Sequence, residues 1–252
     1  MVDIVVEQCE QDGLEPMSIN PVVGECNDSR INQIQKRVVG ADEVRQAFAS
    51  ASEEFEEGDV GAGAGTICYG LKGGIGSASR VIRIGEKEYT IGVLVQSNFG
   101  ATEDFVLNGE SVGAKILDWK QEKDDMAASE EDKGSIMSIL ATDLPLTSRQ
   151  LRRILRRTGV GIARTGGYTG HGSGEVMIGF TTANRIPSGA EEELLQIQAI
   201  PEHVINRAFL AAAEAEQEAI LNSMTAAERT RGRAGELYYS LSEYLEDQDS
   251  KQ

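Results

Sequence analysis

The segment that decides the fold prediction is Gly134-Ser-Ile-Met-Ser-Ile-Leu-Ala-Thr-Asp143. It is a short apolar run with β-branched residues that ends at an aspartate and Pro145, a pattern typical of a buried β-strand. The stretch before it, residues 120–133, contains six acidic and three basic residues and almost no apolar ones, which predicts an exposed loop. The sequence therefore predicts a buried strand that begins at Ser135, directly after a charged loop.

Further strand and helix patterns lie on both sides of this segment. Runs rich in β-branched residues predict strands at 66–71, 79–84, 89–96, 161–164 and 176–182. Helical spacing of apolar residues predicts helices at 42–57, after the capping-box pair Thr147 and Gln150, and from Pro201 onward. Strands followed by helices indicate α/β layers, and we expect residues 1–252 to form a single domain.

The chain is strongly acidic, with 41 Asp and Glu residues against 24 Lys and Arg residues and a formal net charge of -17 at pH 7. Binding to nucleic acid requires clustered positive charge, and the one basic run, at 149–157, is an island on a negative surface. No apolar run approaches the ~20 residues of a membrane helix. We therefore expect neither a nucleic-acid partner nor a membrane.

Cysteine usage and the N-terminal composition predict the compartment. No basic residue precedes Arg30, so we expect no secretory signal peptide. The three cysteines, Cys9, Cys26 and Cys68, form no Cys-x-x-Cys pair and are odd in number, which predicts neither a disulfide framework nor a zinc site. These features predict a cytoplasmic protein, and we expect no cofactor.

The Gly134-Ser135 pair carries the main functional hypothesis. Cleavage between these residues would make Ser135 a new N-terminus, with its α-amine beside its own hydroxyl. A free α-amine titrates near ~7.7 and can act as a general base at neutral pH without a histidine. A loop serine that merely enters a strand fits the same pattern, so the residues alone leave both interpretations open.

Three further positions could contribute polar chemistry. Ser173 and Glu175 are two apart, so in an extended segment they face the same side, and the carboxylate could orient the hydroxyl or an ammonium group. A polar turn would explain the same residues. Asn98, at the end of a predicted strand, could donate to an oxyanion or form a turn. His171 and Asp143 could suggest a Ser-His-Asp triad, but a lone loop histidine is more often solvated.

The glycine-rich segment 61–76 invites a phosphate-loop interpretation. It lacks the GxxxxGK[ST] spacing, and Lys72 precedes its nearest glycines instead of following them. We favour tight turns that join short strands, and we expect no nucleotide site.

A set of ordered motifs extends over nearly the whole chain. They are Pro21-Val-Val-Gly-Glu25, Thr66-Ile-Cys-Tyr-Gly-Leu-Lys-Gly-Gly-Ile-Gly-Ser-Ala-Ser-Arg80, Tyr89-Thr-Ile-Gly-Val-Leu-Val-Gln-Ser-Asn-Phe-Gly100, Gly134-Ser-Ile136, Ala141-Thr-Asp143, Gly161-Ile-Ala-Arg-Thr-Gly166, Gly172-Ser-Gly-Glu175 and Thr230-Arg-Gly-Arg-Ala-Gly235. Together they resemble the DmpA-type aminopeptidases, the family of L-aminopeptidase/D-esterases and β-peptidyl aminopeptidases.

The resemblance implies a fold and a maturation step. The expected fold is an α/β sandwich of the N-terminal-nucleophile-like, DmpA type, with layered sheets flanked by helices. Members are made as one precursor that cuts itself before the nucleophilic serine. Carried over to this sequence, the cut falls between Gly134 and Ser135 and yields an α chain of residues 1–134 and a β chain of residues 135–252.

The resemblance also implies roles for individual residues. Ser135 would be the nucleophile, Ser173 and Glu175 the supporting hydroxyl and carboxylate, and Asn98 an oxyanion donor. The implied activity is release of N-terminal residues from short peptides, amides or esters through an acyl-enzyme, without a metal. By analogy, we expect a homo-oligomer.

Two departures from the family pattern leave an alternative open. Only twenty residues precede the motif at Pro21, where members carry a sizeable segment, and Cys26, Asn27 and Asp28 stand where some members have a tyrosine oxyanion donor. The alternative is a truncated, catalytically silent relative that acts only as a structural subunit. Acyl transfer is disfavoured, because the related ornithine acetyltransferases use a threonine nucleophile and this chain has Ser135.

Overall fold

The computed structural model describes residues 1–123, 134–186 and 194–251. The α-helices are α1 (Val2–Gln11), α2 (Ala41–Ala49), α3 (Gly113–Glu122), α4 (Ser148–Leu155), α5 (Thr158–Arg164), α6 (Asn206–Thr225) and α7 (Leu241–Ser250). The strands are β1 (Ile67–Cys68), β2 (Leu71–Lys72), β3 (Gly74–Ile84), β4 (Lys87–Asn98), β5 (Val106–Leu107), β6 (Glu110–Ser111), β7 (Ser135–Thr142), β8 (Gly174–Thr181), β9 (Thr230–Arg231) and β10 (Leu237–Tyr238).

The main sheet has four strands in the order β3-β4-β7-β8. The β3–β4 and β4–β7 pairs are antiparallel, whereas β7 and β8 are parallel. A parallel pair needs a crossover connection, and α4 and α5 lie in the chain between β7 and β8. The sheet therefore holds the predicted strand at Ser135 in its interior, with a paired neighbour on each side.

One face of the main sheet packs against α6. The alanine-rich sequence of this helix has high helix propensity, and its small side chains let the helix lie close to the sheet. On β7, Ile136 and Leu140 are fully buried, and the Ser138 hydroxyl donates a 2.6 Å hydrogen bond to Glu216 of α6. Burying each such aliphatic side chain stabilises the fold by roughly 1.5–3 kcal/mol. A side chain at Gly76 of β3 would collide with the α6 backbone, so this close approach requires glycine.

The other face of the sheet is more open. Alternate residues of β7 point to opposite faces, so Ser135, Met137 and Ile139 share this second face. Ile139 retains 38% of its exposure and Phe180 of β8 retains 50%. The predicted nucleophile therefore lies on the face that α6 does not cover.

Several predicted elements agree with the structure. The strand predicted from Ser135 is confirmed as β7. The capping box before α4 is confirmed: the Thr147 hydroxyl accepts from the Gln150 amide and the Gln150 side chain accepts from the Thr147 amide, both at 3.2 Å. The long helix predicted from Pro201 begins later, at Asn206, after a short 3₁₀ turn at Glu202–Val204.

Other predictions were wrong. Residues 161–164, predicted as a strand, belong to α5, because a four-residue apolar run cannot distinguish a buried helical turn from a strand. The helix predicted at 42–57 ends at Ala49. Lys120 lies in α3 and is buried, donating to the Gly70 carbonyl at 2.6 Å, so the predicted loop does not begin there. Residues 124–133 of that loop lie outside the described residues.

A search of the described helices for a membrane span finds none with the required length and apolar composition.

Candidate active site

Ser135 is the first residue of β7 and is paired on both sides. Asn98, the last residue of β4, lies opposite it across the antiparallel ladder, and Gly174, the first residue of β8, lies opposite it across the parallel ladder. The Ser135 side chain is partly buried, and its hydroxyl makes no hydrogen bond to residues 1–123, 134–186 or 194–251. The hydroxyl is thus available for chemistry in a fixed backbone position.

Two contacts hold Gly134, the residue before Ser135, in place. Its carbonyl accepts a 3.2 Å hydrogen bond from the Gly174 amide. A Cβ at Gly134 would collide with the main-chain carbonyl of Asn98, so glycine is required by close packing. The bond predicted to be cut therefore has an immobilised carbonyl.

The structure brings Ser173 and Glu175 together, and places them beside Gly174. The Ser173 hydroxyl donates a 2.6 Å hydrogen bond to the Glu175 carboxylate. Both side chains are partly buried at the start of β8. In this arrangement the Glu175 carboxylate orients the Ser173 hydroxyl; the catalytic roles of the two residues stay predictions.

Asn98 is anchored by two main-chain hydrogen bonds. Its side-chain oxygen accepts from the Ile67 amide at 2.9 Å, and its side-chain nitrogen donates to the Asn27 carbonyl at 3.1 Å. The side-chain NH₂ group has two hydrogens, so one remains to donate to another acceptor. The anchoring fixes the orientation of the amide, as an oxyanion donor requires.

The glycine-rich segment contributes to this anchoring. The Lys72 ammonium is fully buried and donates to the carbonyls of Gly63, Thr66 and Gly73 at 2.8, 3.1 and 2.8 Å. Burial lowers the pKa of Lys72 to about 8. These bonds shape the turn that leads into Ile67, whose amide holds Asn98.

The segment that follows the Pro21–Glu25 motif also reaches the site. The Cys26 thiol is buried and lies 3.5 Å from the Ser135 carbonyl and 3.7 Å from the Gln96 carbonyl, positioned to donate to both. Burial raises the pKa of the Cys26 thiol to about 11, so it stays neutral and is a weak nucleophile at neutral pH. The Asn27 side-chain oxygen accepts from the Ser29 amide at 3.0 Å, which closes a local turn.

The structure does not assemble the Ser-His-Asp alternative. Asp143 follows the far end of β7 from Ser135 and accepts a 2.7 Å hydrogen bond from the Thr90 amide. His171 is exposed in the turn before β8. In the described part of the chain, no group of three or more His, Cys, Asp or Glu side chains is arranged to hold a metal ion.

Sequence reasoning missed three contributors: the Gly174 amide, the buried Lys72 ammonium and the Asn27 carbonyl. Main-chain donors and acceptors have no residue-type signature, so Gly174 and Asn27 left no signal of their own. Lys72 did leave one, because a lysine between turn glycines can satisfy their carbonyls when it is buried.

Comparisons with known proteins point to one peptidase family. The model of peptidase family S58 matches residues 1–238. The β-peptidyl aminopeptidase BapA of Sphingosinicella xenopeptidilytica is 35% identical over 229 residues, which are 88% of this chain and 57% of that protein. BapA of Sphingosinicella microcystinivorans is also 35% identical, over 224 residues. The chain thus spans little more than half the length of these curated relatives.

Solved structures show the same fold. A protein from Pyrococcus horikoshii OT3 has a TM-score of 0.85 and 45% identity, covering 97% of this chain and 66% of its own. The L-aminopeptidase D-Ala-esterase/amidase from Ochrobactrum anthropi, described as a prototype for the serine aminopeptidases and a new variant among the Ntn hydrolase fold, has a TM-score of 0.85 and 35% identity, covering 98% and 66%. The predicted N-terminal-nucleophile-like fold is confirmed, and the chain belongs to peptidase family S58.

Proposed function

We propose that this protein is a self-processing serine aminopeptidase that releases N-terminal residues from short peptides, amides or esters. The single observation that carries the proposal is the position of Ser135: it begins an interior strand between Asn98 and Gly174, and its hydroxyl makes no hydrogen bond to the described residues. The relatives named as aminopeptidases support the same reaction class.

The first step is cleavage of the Gly134–Ser135 bond. It separates an α chain, 1–134, from a β chain, 135–252, and frees the Ser135 α-amine. That amine titrates near neutrality, so it can take the proton from the adjacent hydroxyl when the hydroxyl attacks a substrate carbonyl. We expect the Ser173 hydroxyl, which donates a hydrogen bond to Glu175, to relay this proton.

The second step is acyl transfer to Ser135 and release of the acyl group by water. The developing oxyanion needs a preorganised donor, and the anchored Asn98 amide supplies one. The negative charge of Glu175 and of the whole chain favours a substrate with a positively charged amino terminus. Several copies of the chain would assemble into a homo-oligomer, and neither nucleic acid nor a membrane would be a partner.

The proposal is tested by the mass and turnover of purified full-length protein and of its Ser135→Ala variant. We expect the unaltered chain to appear as two fragments, residues 1–134 and residues 135–252, and to hydrolyse aminoacyl p-nitroanilides. Ser135→Ala should remain one chain and hydrolyse none. A folded, unaltered chain that stays whole would contradict self-processing. Fragments without any turnover would instead favour the catalytically silent subunit.

A further inference from the structure

A hydrogen bond joins the scissile peptide group to β8. The Gly134 carbonyl oxygen accepts from the Gly174 main-chain amide at 3.2 Å. We propose that this amide is the oxyanion donor for self-cleavage of the precursor, a role separate from that of Asn98 in substrate hydrolysis. The inference rests on the proposed self-processing activity and names a catalytic group for it.

Strand register produces this contact. In a parallel ladder, a residue donates to the carbonyl of the residue before its partner on the neighbouring strand. Gly174 is the partner of Ser135, so its amide points at the carbonyl of Gly134. The Gly174 amide therefore points at the Gly134 carbonyl oxygen. This oxygen would become negatively charged when the Ser135 hydroxyl attacks the Gly134 carbonyl carbon.

Gly174 is held in place by its two neighbours. The hydrogen bond from Ser173 to Glu175 spans Gly174, and the Ser173 amide donates to the Gly170 carbonyl at 2.9 Å. A donor that needs no reorganisation during the reaction stabilises developing charge most effectively. The Ser173–Glu175 pair thus fixes the direction of the Gly174 amide.

The missing side chain at Gly174 also leaves room for the nucleophile. A Cβ at this position would lie 3.3 Å from the Ser135 hydroxyl oxygen, a tight contact. Without it, the hydroxyl can swing toward the Gly134 carbonyl carbon. Gly174 therefore supplies a main-chain donor and, because it has no side chain, also leaves space for the Ser135 hydroxyl to move.

Self-cleavage of the Gly134–Ser135 peptide bond consumes one water molecule. The Ser135 hydroxyl oxygen forms a bond to the Gly134 carbonyl carbon, and its proton passes to the departing Ser135 nitrogen as the carbon–nitrogen bond breaks. Water then hydrolyses the resulting ester, which leaves a carboxylate on Gly134 and a free amine and hydroxyl on Ser135.

The donor accelerates the reaction only if its bond strengthens in the transition state. In the resting chain the acceptor is a neutral carbonyl at 3.2 Å. When the carbon becomes tetrahedral the oxygen carries negative charge, and bonds to charged acceptors are shorter and about twice as strong as neutral ones.

The test replaces the Gly174 amide with an ester in the full-length chain, by ribosomal incorporation of glycolic acid. This removes the N–H and leaves every side chain unchanged. We expect first-order self-cleavage to slow by ~10²-fold or more, the usual effect of deleting one oxyanion donor. Mass spectrometry of timed samples measures the rate.

The matched control is the same amide-to-ester change at Val176, using α-hydroxyisovaleric acid. Val176 is two residues further along β8, so its amide faces β7 as that of Gly174 does, but opposite Met137. Self-cleavage of this control should stay within about threefold of the unmodified rate, because the catalytic donor remains. Equal slowing in both variants would assign the Gly174 bond a purely structural role and overturn the proposal.

The unmodified chain, tested in parallel, separates the two hypotheses. If it cuts itself and the Gly174 ester cuts at the same rate, only the present inference fails. If it never cuts itself, the proposed function fails first. Should the Gly174 ester not fold, NMR of the uncut Ser135→Ala precursor decides: a scalar coupling across the hydrogen bond from the Gly174 nitrogen to the Gly134 carbonyl carbon supports the donor, and its absence beside detectable couplings elsewhere in β8 refutes it.

Discussion

The two faces of strand β7 do different work. Ile136, Ser138 and Leu140 point toward α6 and are buried. Ser135 and Ile139 point the other way, where Ile139 keeps 38% of its exposure. Because a strand alternates sides with a period of two, one eight-residue segment supplies core contacts on one face and the proposed nucleophile on the other. Stability and chemistry should therefore separate by residue parity along this strand.

The largest expected effect comes from the two serines of β7. Ser135→Ala should lower kcat/KM for an aminoacyl amide by at least ~10⁴-fold, because it removes the nucleophile, while the melting temperature changes little. Ser138→Ala should leave self-cleavage intact but lower the free energy of unfolding by about 1–2 kcal/mol, because Glu216 loses its donor. Steady-state kinetics and thermal melts on both variants check this contrast.

Two results for these serine variants would contradict the proposed difference between the faces. Loss of activity in a folded Ser138→Ala protein, or retained activity in Ser135→Ala, would show that chemistry does not lie on the open face.

A second comparison tests the packing on the two faces. Leu140→Ala should lower the free energy of unfolding by about 3 kcal/mol, because it opens a cavity in the core on the covered face. Ile139→Ala, one residue earlier on the open face, should lower it by less than about 1 kcal/mol. Urea denaturation in the Ser135→Ala background measures both, since an uncut chain keeps the transition unimolecular. Equal losses would mean that another element covers the open face in solution.

The third prediction concerns the carboxylate of Glu175, in the strand that pairs with β7. Glu175→Gln keeps the side-chain size and can still accept from Ser173, but it removes the negative charge. We expect kcat/KM to fall by ~10²-fold, with little change in stability. Glu88→Gln, an exposed glutamate near the other end of β4, is the matched control and should retain full activity. A Glu175→Gln enzyme as active as the control would exclude the carboxylate from catalysis.

The last prediction is a pH dependence of stability that originates on the covered face. Burial raises the pKa of Glu216 from its ordinary 4.5 to about 8, although the bond from Ser138 opposes the shift. The neutral acid is therefore favoured in the folded state, so its contribution to stability is full below pH 4.5 and is lost as the pH rises through about 8.

Glu216→Gln should remove this dependence. Between pH 5 and 8, the free energy of unfolding of the protein with Glu216 should decrease, relative to that of the Glu216→Gln variant, by at most about 1.4 kcal/mol per pH unit. Urea denaturation of both chains in the Ser135→Ala background, across that range, measures the difference. A constant difference would show that Glu216 is ionised in the folded protein.

Much of the fold was predictable from local patterns. The apolar run after Gly134 predicted β7, and the Thr147–Gln150 pair predicted the start of α4, because both signals depend on neighbouring residues. Residues 161–164 were wrongly predicted as a strand, since a run this short fits a helix or a strand until its packing partner is known. Lys120 appeared solvated in sequence because its buried acceptor, the Gly70 carbonyl, is fifty residues away.

The candidate site divides in the same way. By itself, the sequence determined the residue types: a serine directly after a glycine at a strand start, a hydroxyl and a carboxylate two positions apart, and an asparagine at a strand end. Only the tertiary structure decided that Asn98 and Gly174 flank Ser135, and that the Gly174 amide meets the Gly134 carbonyl. The physical reason is that pairing between distant strands depends on register, which is set when one face of the sheet is buried against α6.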